Sequence, residues 1–77
     1  MIHPGDRIVV TGGSGFMGIN LIRFLLARHY KVTSIDIAPF DYPERDRVAA
    51  ITGDVRDYQA VLASLTDAVA VVHCAAA

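Results

Sequence analysis

Thr11-Gly12-Gly13-Ser14-Gly15-Phe16-Met17-Gly18 joins two runs of contrasting pattern. Arg7-Ile8-Val9-Val10 before it reads as a buried strand, and Ile19 to Arg28 after it reads as a helix. A strand that turns through glycines into a helix start makes a pyrophosphate cradle. Glycine lets the backbone turn tightly and approach a ligand, and the helix start offers unpaired N–H groups at the positive end of its dipole. Two frames overlap in the phrase. Gly13-x-Gly15-x-x-Gly18 is the dinucleotide fingerprint, and Thr11-Gly12-x-x-Gly15-x-x-Gly18 is a narrower variant.

The fingerprint asks for a carboxylate about 20 residues on, where it accepts from a ribose hydroxyl. Lys31-Val32-Thr33-Ser34-Ile35 reads as a second strand, and Asp36 closes it. A strand-end turn residue is the bland alternative for this aspartate; its place after the glycine turn favours the ribose role. An acid there repels a ribose 2′-phosphate, and Ile37-Ala38-Pro39 supplies no arginine to offset it. NAD is therefore expected over NADP, with Arg45 and Arg47 the cations that could reach in from the following loop.

The remaining pattern extends this unit. Gly18, Ile22 and Leu25-Leu26 recur at helical spacing, with Asn20, Arg23 and Ala27 toward the other face. Ala38 to Arg47, with Pro39, Pro43 and many charges, reads as a connecting loop. Its Phe40 and Tyr42 could face a ligand, but more often such residues cap the core. Val48 to Thr52 is a third strand, ended by Gly53-Asp54, and Asp57 caps a second helix over Tyr58 to Leu65. Ala68-Val69-Ala70-Val71-Val72, apolar without alternation, suits a fourth strand buried on both faces of a parallel sheet. The expected architecture is α/β and doubly wound, with strand order 3-2-1-4 and the two helices on opposite faces. The dinucleotide site then falls where the winding direction switches, between strands one and four.

At 77 residues, 53% hydrophobic and with a net charge of −1, the chain is one small packed unit. It has neither the composition of a disordered tail nor the basic surface of a nucleic-acid binder. The helix from Ile19 to Tyr30 is too short, and too broken by Arg23 and Arg28, to span a membrane. A single cysteine, Cys74, and no secretory pattern at the N-terminus point to the cytoplasm. His3 and His29 share no metal-ligand spacing with each other or with Cys74, so no metal site is expected. A P-loop hydrolase requires Lys and Ser/Thr after the last glycine, where Ile19-Asn20 stand. An esterase elbow fails at Phe16, where its second glycine belongs.

Thr11 to Gly18, Ile35-Asp36, Gly53-Asp54-Val55-Arg56-Asp57 and His73-Cys74-Ala75-Ala76, in this order, resemble the extended short-chain dehydrogenase/reductases, the NAD-dependent epimerase/dehydratase family. The resemblance runs from Arg7 to Ala77 and implies a Rossmann-type fold. It implies that Gly12, Gly15 and Gly18 shape the phosphate turn and that Phe16 and Met17 offer backbone N–H groups to the pyrophosphate. Met17 departs mildly from the Ile or Leu usual in the family. Asp54 would accept from the adenine amino group, Val55 would pair with the ring edge, and Ala75 and Ala76 would let the ribose lie close. His73 is implied to line the cofactor and not to catalyse. Neither His73 next door nor any other base argues for Cys74 as a nucleophile, so it reads as a buried packing thiol.

The family's catalytic tyrosine, with lysine four residues later, has no counterpart here. Ser34, Asp46 and Leu62 stand four after Tyr30, Tyr42 and Tyr58. The resemblance thus implies the cofactor-binding N-terminal part of a longer epimerase, dehydratase or reductase, with nucleotide sugars as a candidate substrate class, inactive by itself. A non-catalytic dinucleotide sensor of the same superfamily is the alternative. The fourth strand, left as an apolar edge, is expected to promote self-association.

Overall fold

The computed structural model describes residues 3–53, 56, 59 and 65–74. Four parallel strands form one sheet: β1 (Arg7–Thr11), β2 (Lys31–Asp36), β3 (Val48–Thr52) and β4 (Ala68–His73), in spatial order β3-β2-β1-β4. The 3-2-1-4 order follows the sequence reading. β1, β2 and β4 each run one residue past their expected end, which brings Thr11, Asp36 and His73 into the sheet. The strands align so that Thr11 lies opposite Ile35 and His73, and Asp36 opposite Thr52. Their C-terminal ends therefore share one rim.

Helix α1 (Phe16–Ala27) packs on one face of this sheet. Alternation along the strands sends Ile8, Val10, Val32 and Val48 toward it, where they meet Ile19, Ile22, Leu25 and Leu26. Ile22 is fully buried, so truncating it to alanine would cost about 2–5 kcal/mol. Val9, Thr33 and Ile35 alternate to the opposite face and are buried as well. The second helix expected from Tyr58 to Leu65, with its cap at Asp57, falls almost entirely outside the described residues, and its face with it.

Three expectations need correction. The helix begins at Phe16 and not Ile19, because Gly15 is already its extended cap (φ −84°, ψ 172°) and Ile19 N–H makes the first helical bond, to Gly15 O at 2.9 Å. Its last glycine thus belongs to the helix. The segment before β3 is not wholly irregular: Pro43–Arg47 forms a short 3-10 helix. Pro43, at its first turn, lacks only an N–H that would have no partner there. Finally, β4 stands at the sheet edge among the described residues, as expected, but it is not buried on both faces: Val69, Val71 and Val72 are exposed.

α1 ends without a glycine. His29 takes the left-handed conformation (φ 68°) and donates to Leu26 O at 3.0 Å, while Tyr30 N–H reaches Leu25 O at 3.1 Å. This pair of bonds is a Schellman closure, which turns the chain sharply into β2.

Candidate functional site

Three of the four glycines of the turn answer a separate steric demand. Gly12 has φ +75°, a conformation L side chains rarely adopt. A Cβ on Gly13 would collide with the Ser34 hydroxyl and come within 2.9 Å of Ile22 Cδ1, so Gly13 lets the turn lie against β2 and the core. A Cβ on Gly18 would strike Gly12 O and stand 2.7 Å from Gly13 Cα, so Gly18 lets α1 pass close to the turn. Both sequence frames are therefore used. Gly15 differs, since a Cβ there would meet only Gly12 O at 3.5 Å, an ordinary contact.

Gly15 caps α1 without a side-chain bond, and the first turn carries no acidic residue. Helix geometry leaves the N–H groups of Phe16, Met17 and Gly18 without an intrahelical acceptor, and no backbone bond among the described residues engages them. Phe16 and Met17 are themselves well exposed. Donors and dipole both point out of the helix start, a geometry that suits an anion.

Asp36 stands beside this turn, half-buried. Its Oδ2 accepts from Ser14 N–H at 3.0 Å and its Oδ1 from Ala38 N–H at 3.0 Å. The carboxylate is thus fixed by two backbone donors, and it retains lone pairs for a ligand hydroxyl. Gly12, Gly15, Phe16, Met17, Asp36, Ile37 and Cys74 together line a cleft of ≈ 350 Å³. These residues follow β1, β2 and β4, which places the cleft at the switch in winding direction. Asp36 is the only charged residue among them.

A larger depression, ≈ 620 Å³, opens at the other end of the sheet and includes Arg7, Lys31 and Arg47. Arg47 precedes β3, five residue steps or about 16 Å along the strands from the level of Asp36. Arg47 therefore faces away from the cleft.

Sequence reasoning missed the residues that join Asp36 to the turn. Ser14 Oγ donates to the carbonyls of Ala38 (3.1 Å) and Pro39 (3.0 Å), and Tyr42 OH donates to Ser14 O at 2.6 Å. Tyr42 packs edge to face with Phe40 at 5.1 Å, and Phe40 is buried in the core. The aromatic pair thus caps the core from the loop. Arg23 pairs with Glu44 at 2.9 Å and lies 5.8 Å from the centre of the Tyr42 ring. The hydrogen bond between them holds the Glu44 carboxyl below its ordinary range and raises the Arg23 guanidinium. A serine in a glycine turn and a loop tyrosine carry no periodic signal, so only the folded chain relates them.

At the β4 side, Thr11 Oγ1 and His73 Nδ1 share a 2.6 Å hydrogen bond, and Cys74 N–H donates to Thr11 O at 2.9 Å. His73 is thereby tied to β1. Cys74 is only partly buried and lines the cleft, which corrects its reading as a buried thiol. Asp54, Val55, Ala75 and Ala76 lie outside the described residues. Among the described residues no group of three or more metal-binding side chains occurs, and no helix is long and apolar enough to cross a membrane.

Known proteins place this geometry in context. A 3-beta-hydroxysteroid dehydrogenase from Mycolicibacterium neoaurum is 36% identical over 70 residues, covering 91% of this chain and 19% of that protein. The chain thus spans about a fifth of that relative's length. An epimerase from Methanothermobacter thermautotrophicus superposes with a TM-score of 0.86 at 26% identity, over 97% of this chain and 24% of its own. The Bordetella bronchiseptica enzyme WbmG, solved in complex with NAD, gives a TM-score of 0.78 at 30% identity, over 95% of this chain and 26% of its own. Dehydrogenases, epimerases and dehydratases all occur among the relatives. The model of the NAD dependent epimerase/dehydratase family matches residues 8–77, all four strands apart from Arg7. The chain belongs to the NAD dependent epimerase/dehydratase family.

Proposed function

We propose that this chain binds NAD and forms the adenine-side grip of an enzyme that transfers hydride through that cofactor. The observation that carries the reading is the fixed Asp36 carboxylate beside the open N–H groups of Phe16 and Met17, in one cleft. In this reading Gly12, Gly15 and Gly18 shape the turn, and Phe16 and Met17 N–H groups hold the pyrophosphate. Asp36 accepts from the adenosine ribose. Asp54 and Val55 are assigned to the adenine, and Ala75 and Ala76 to the ribose contact, on the family pattern alone. When bound, NAD would supply the hydride acceptor; the described residues bind and orient it.

The preference for NAD over NADP rests on charge. A 2′-phosphate near Asp36 would meet a carboxylate, with the Ala38 and Pro39 carbonyls turned toward Ser14 close by. Among the described residues no cation lines the cleft to offset them. Calorimetric titration of the chain with both cofactors tests this. We expect NAD to bind at least tenfold more tightly, the equivalent of about 1.4 kcal/mol. Asp36→Asn should weaken NAD and shrink the ratio; equal affinities in the parent chain would overturn the preference.

For the whole protein, we read hydride transfer at a hydroxyl-bearing carbon, which the dehydrogenases among the relatives support. A nucleotide sugar is supported as substrate by WbmG, which was also solved with NAD and UDP. A 3β-hydroxysteroid is supported by the dehydrogenase relative.

A further inference from the structure

The Ser14 residue of the glycine turn is held on three sides, by the last residue of β2 and by the segment that follows it. Its N–H goes to Asp36, its hydroxyl to the Ala38 and Pro39 carbonyls, and its carbonyl to Tyr42 OH. The last of these bonds is the shortest, at 2.6 Å, and it acts on a sensitive place. Ser14 C=O and Gly15 N–H belong to the same peptide plane. That N–H donates to Gly12 O at 3.1 Å, and Gly15 O then accepts the first helical bond from Ile19. Fixing the Ser14 carbonyl therefore fixes the plane that closes the turn and leads into the Gly15 cap of α1.

From this geometry we propose that Tyr42 is a positioning residue of the dinucleotide site, holding the Ser14–Gly15 peptide so that the phosphate turn is formed before ligand arrives. Tyr42 can do so because it is itself held. Its ring rests on buried Phe40, and the Arg23–Glu44 pair from α1 and the 3-10 helix lies across it. The turn is thus preorganised, and less ordering is left for the ligand to impose. Tyr42 need not touch the cofactor; it acts through Ser14.

This proposal rests on the reading of the cleft as an NAD site, and its test separates the two. Tyr42→Phe removes one hydroxyl and leaves the ring packing. Losing a single hydrogen bond of this kind should weaken NAD binding about three- to tenfold. In the ligand-free chain, amide hydrogen exchange should quicken at Ser14 and Gly15 while the amides of β1 and β2 keep their protection. An unchanged NAD affinity in the variant would overturn the role. So would an affinity loss accompanied by faster exchange throughout the sheet, since that would mark a general loss of stability. If the parent chain fails to bind NAD, the cofactor reading falls, and unaltered exchange at Ser14 and Gly15 would then dispose of the positioning role as well.

Discussion

At the scale of single residues, the glycine phrase separates into positions where a side chain would disturb the fold and one, Gly15, that lines the cleft without that constraint. Gly18→Leu should disrupt both, because its Cβ alone already meets Gly12 O and Gly13 Cα, which are backbone atoms that cannot swing aside. We expect a destabilisation of at least about 3 kcal/mol, at the upper end of overpacking costs, together with lost NAD binding. Gly15→Ala should behave differently: its new methyl makes an ordinary contact, so thermal melting should shift by only a few degrees. Since Gly15 lines the cleft, NAD affinity should still fall. Parallel melting and calorimetric measurements on the two variants check this, and a Gly15→Ala chain that binds normally would remove Gly15 from the contact surface. The glycines and Asp36 were legible in the sequence because both obey fixed spacings. Ser14 and Tyr42 were not, since a hydroxyl that meets a carbonyl 28 positions away leaves no local trace.

Among the elements, the strands were the most legible, because β-branched runs bounded by glycine, proline or aspartate have few other readings. Their order followed from connection rules that admit few topologies. The start of α1 was misplaced because hydrophobic periodicity sets in at Ile19, whereas the backbone becomes helical as soon as Gly15 has capped it. The 3-10 helix at Pro43–Arg47 was missed for a related reason: it buries no residue and so has no apolar stripe to detect. For β4 the edge position was legible and the cover of its faces was not. A continuous apolar run suggests two covered faces, yet Val69 and Val71 are each about half exposed, at 53% and 51%. Among the described residues β4 pairs only with β1, and none of them covers its outer edge. We expect the chain to self-associate through this edge, with sedimentation showing mass that rises with concentration. Val71→Lys should suppress that rise by placing a charge on the edge, and a parent chain that sediments as a monomer throughout would refute the expectation.

On the scale of the whole molecule, the parallel sheet gathers the ends of β1, β2 and β4 on one rim, and the cleft forms there because the winding direction reverses beside β1. The opposite rim holds the roomier depression, with Arg7, Lys31 and Arg47 around it. Size and positive charge alone would favour that depression for a phosphate-bearing ligand. The helix start, the glycine turn and Asp36, the proposed ribose partner, favour the smaller cleft, and directional donors decide orientation where scattered surface cations do not. Amide chemical-shift mapping of the isotopically labelled chain during NAD titration distinguishes the two rims. The account predicts the largest changes at Gly12, Ser14, Gly15, Phe16, Met17, Gly18 and Asp36, saturating with NAD. Changes centred on Arg7, His29, Lys31 and Arg47, with the glycine turn unmoved, would contradict it.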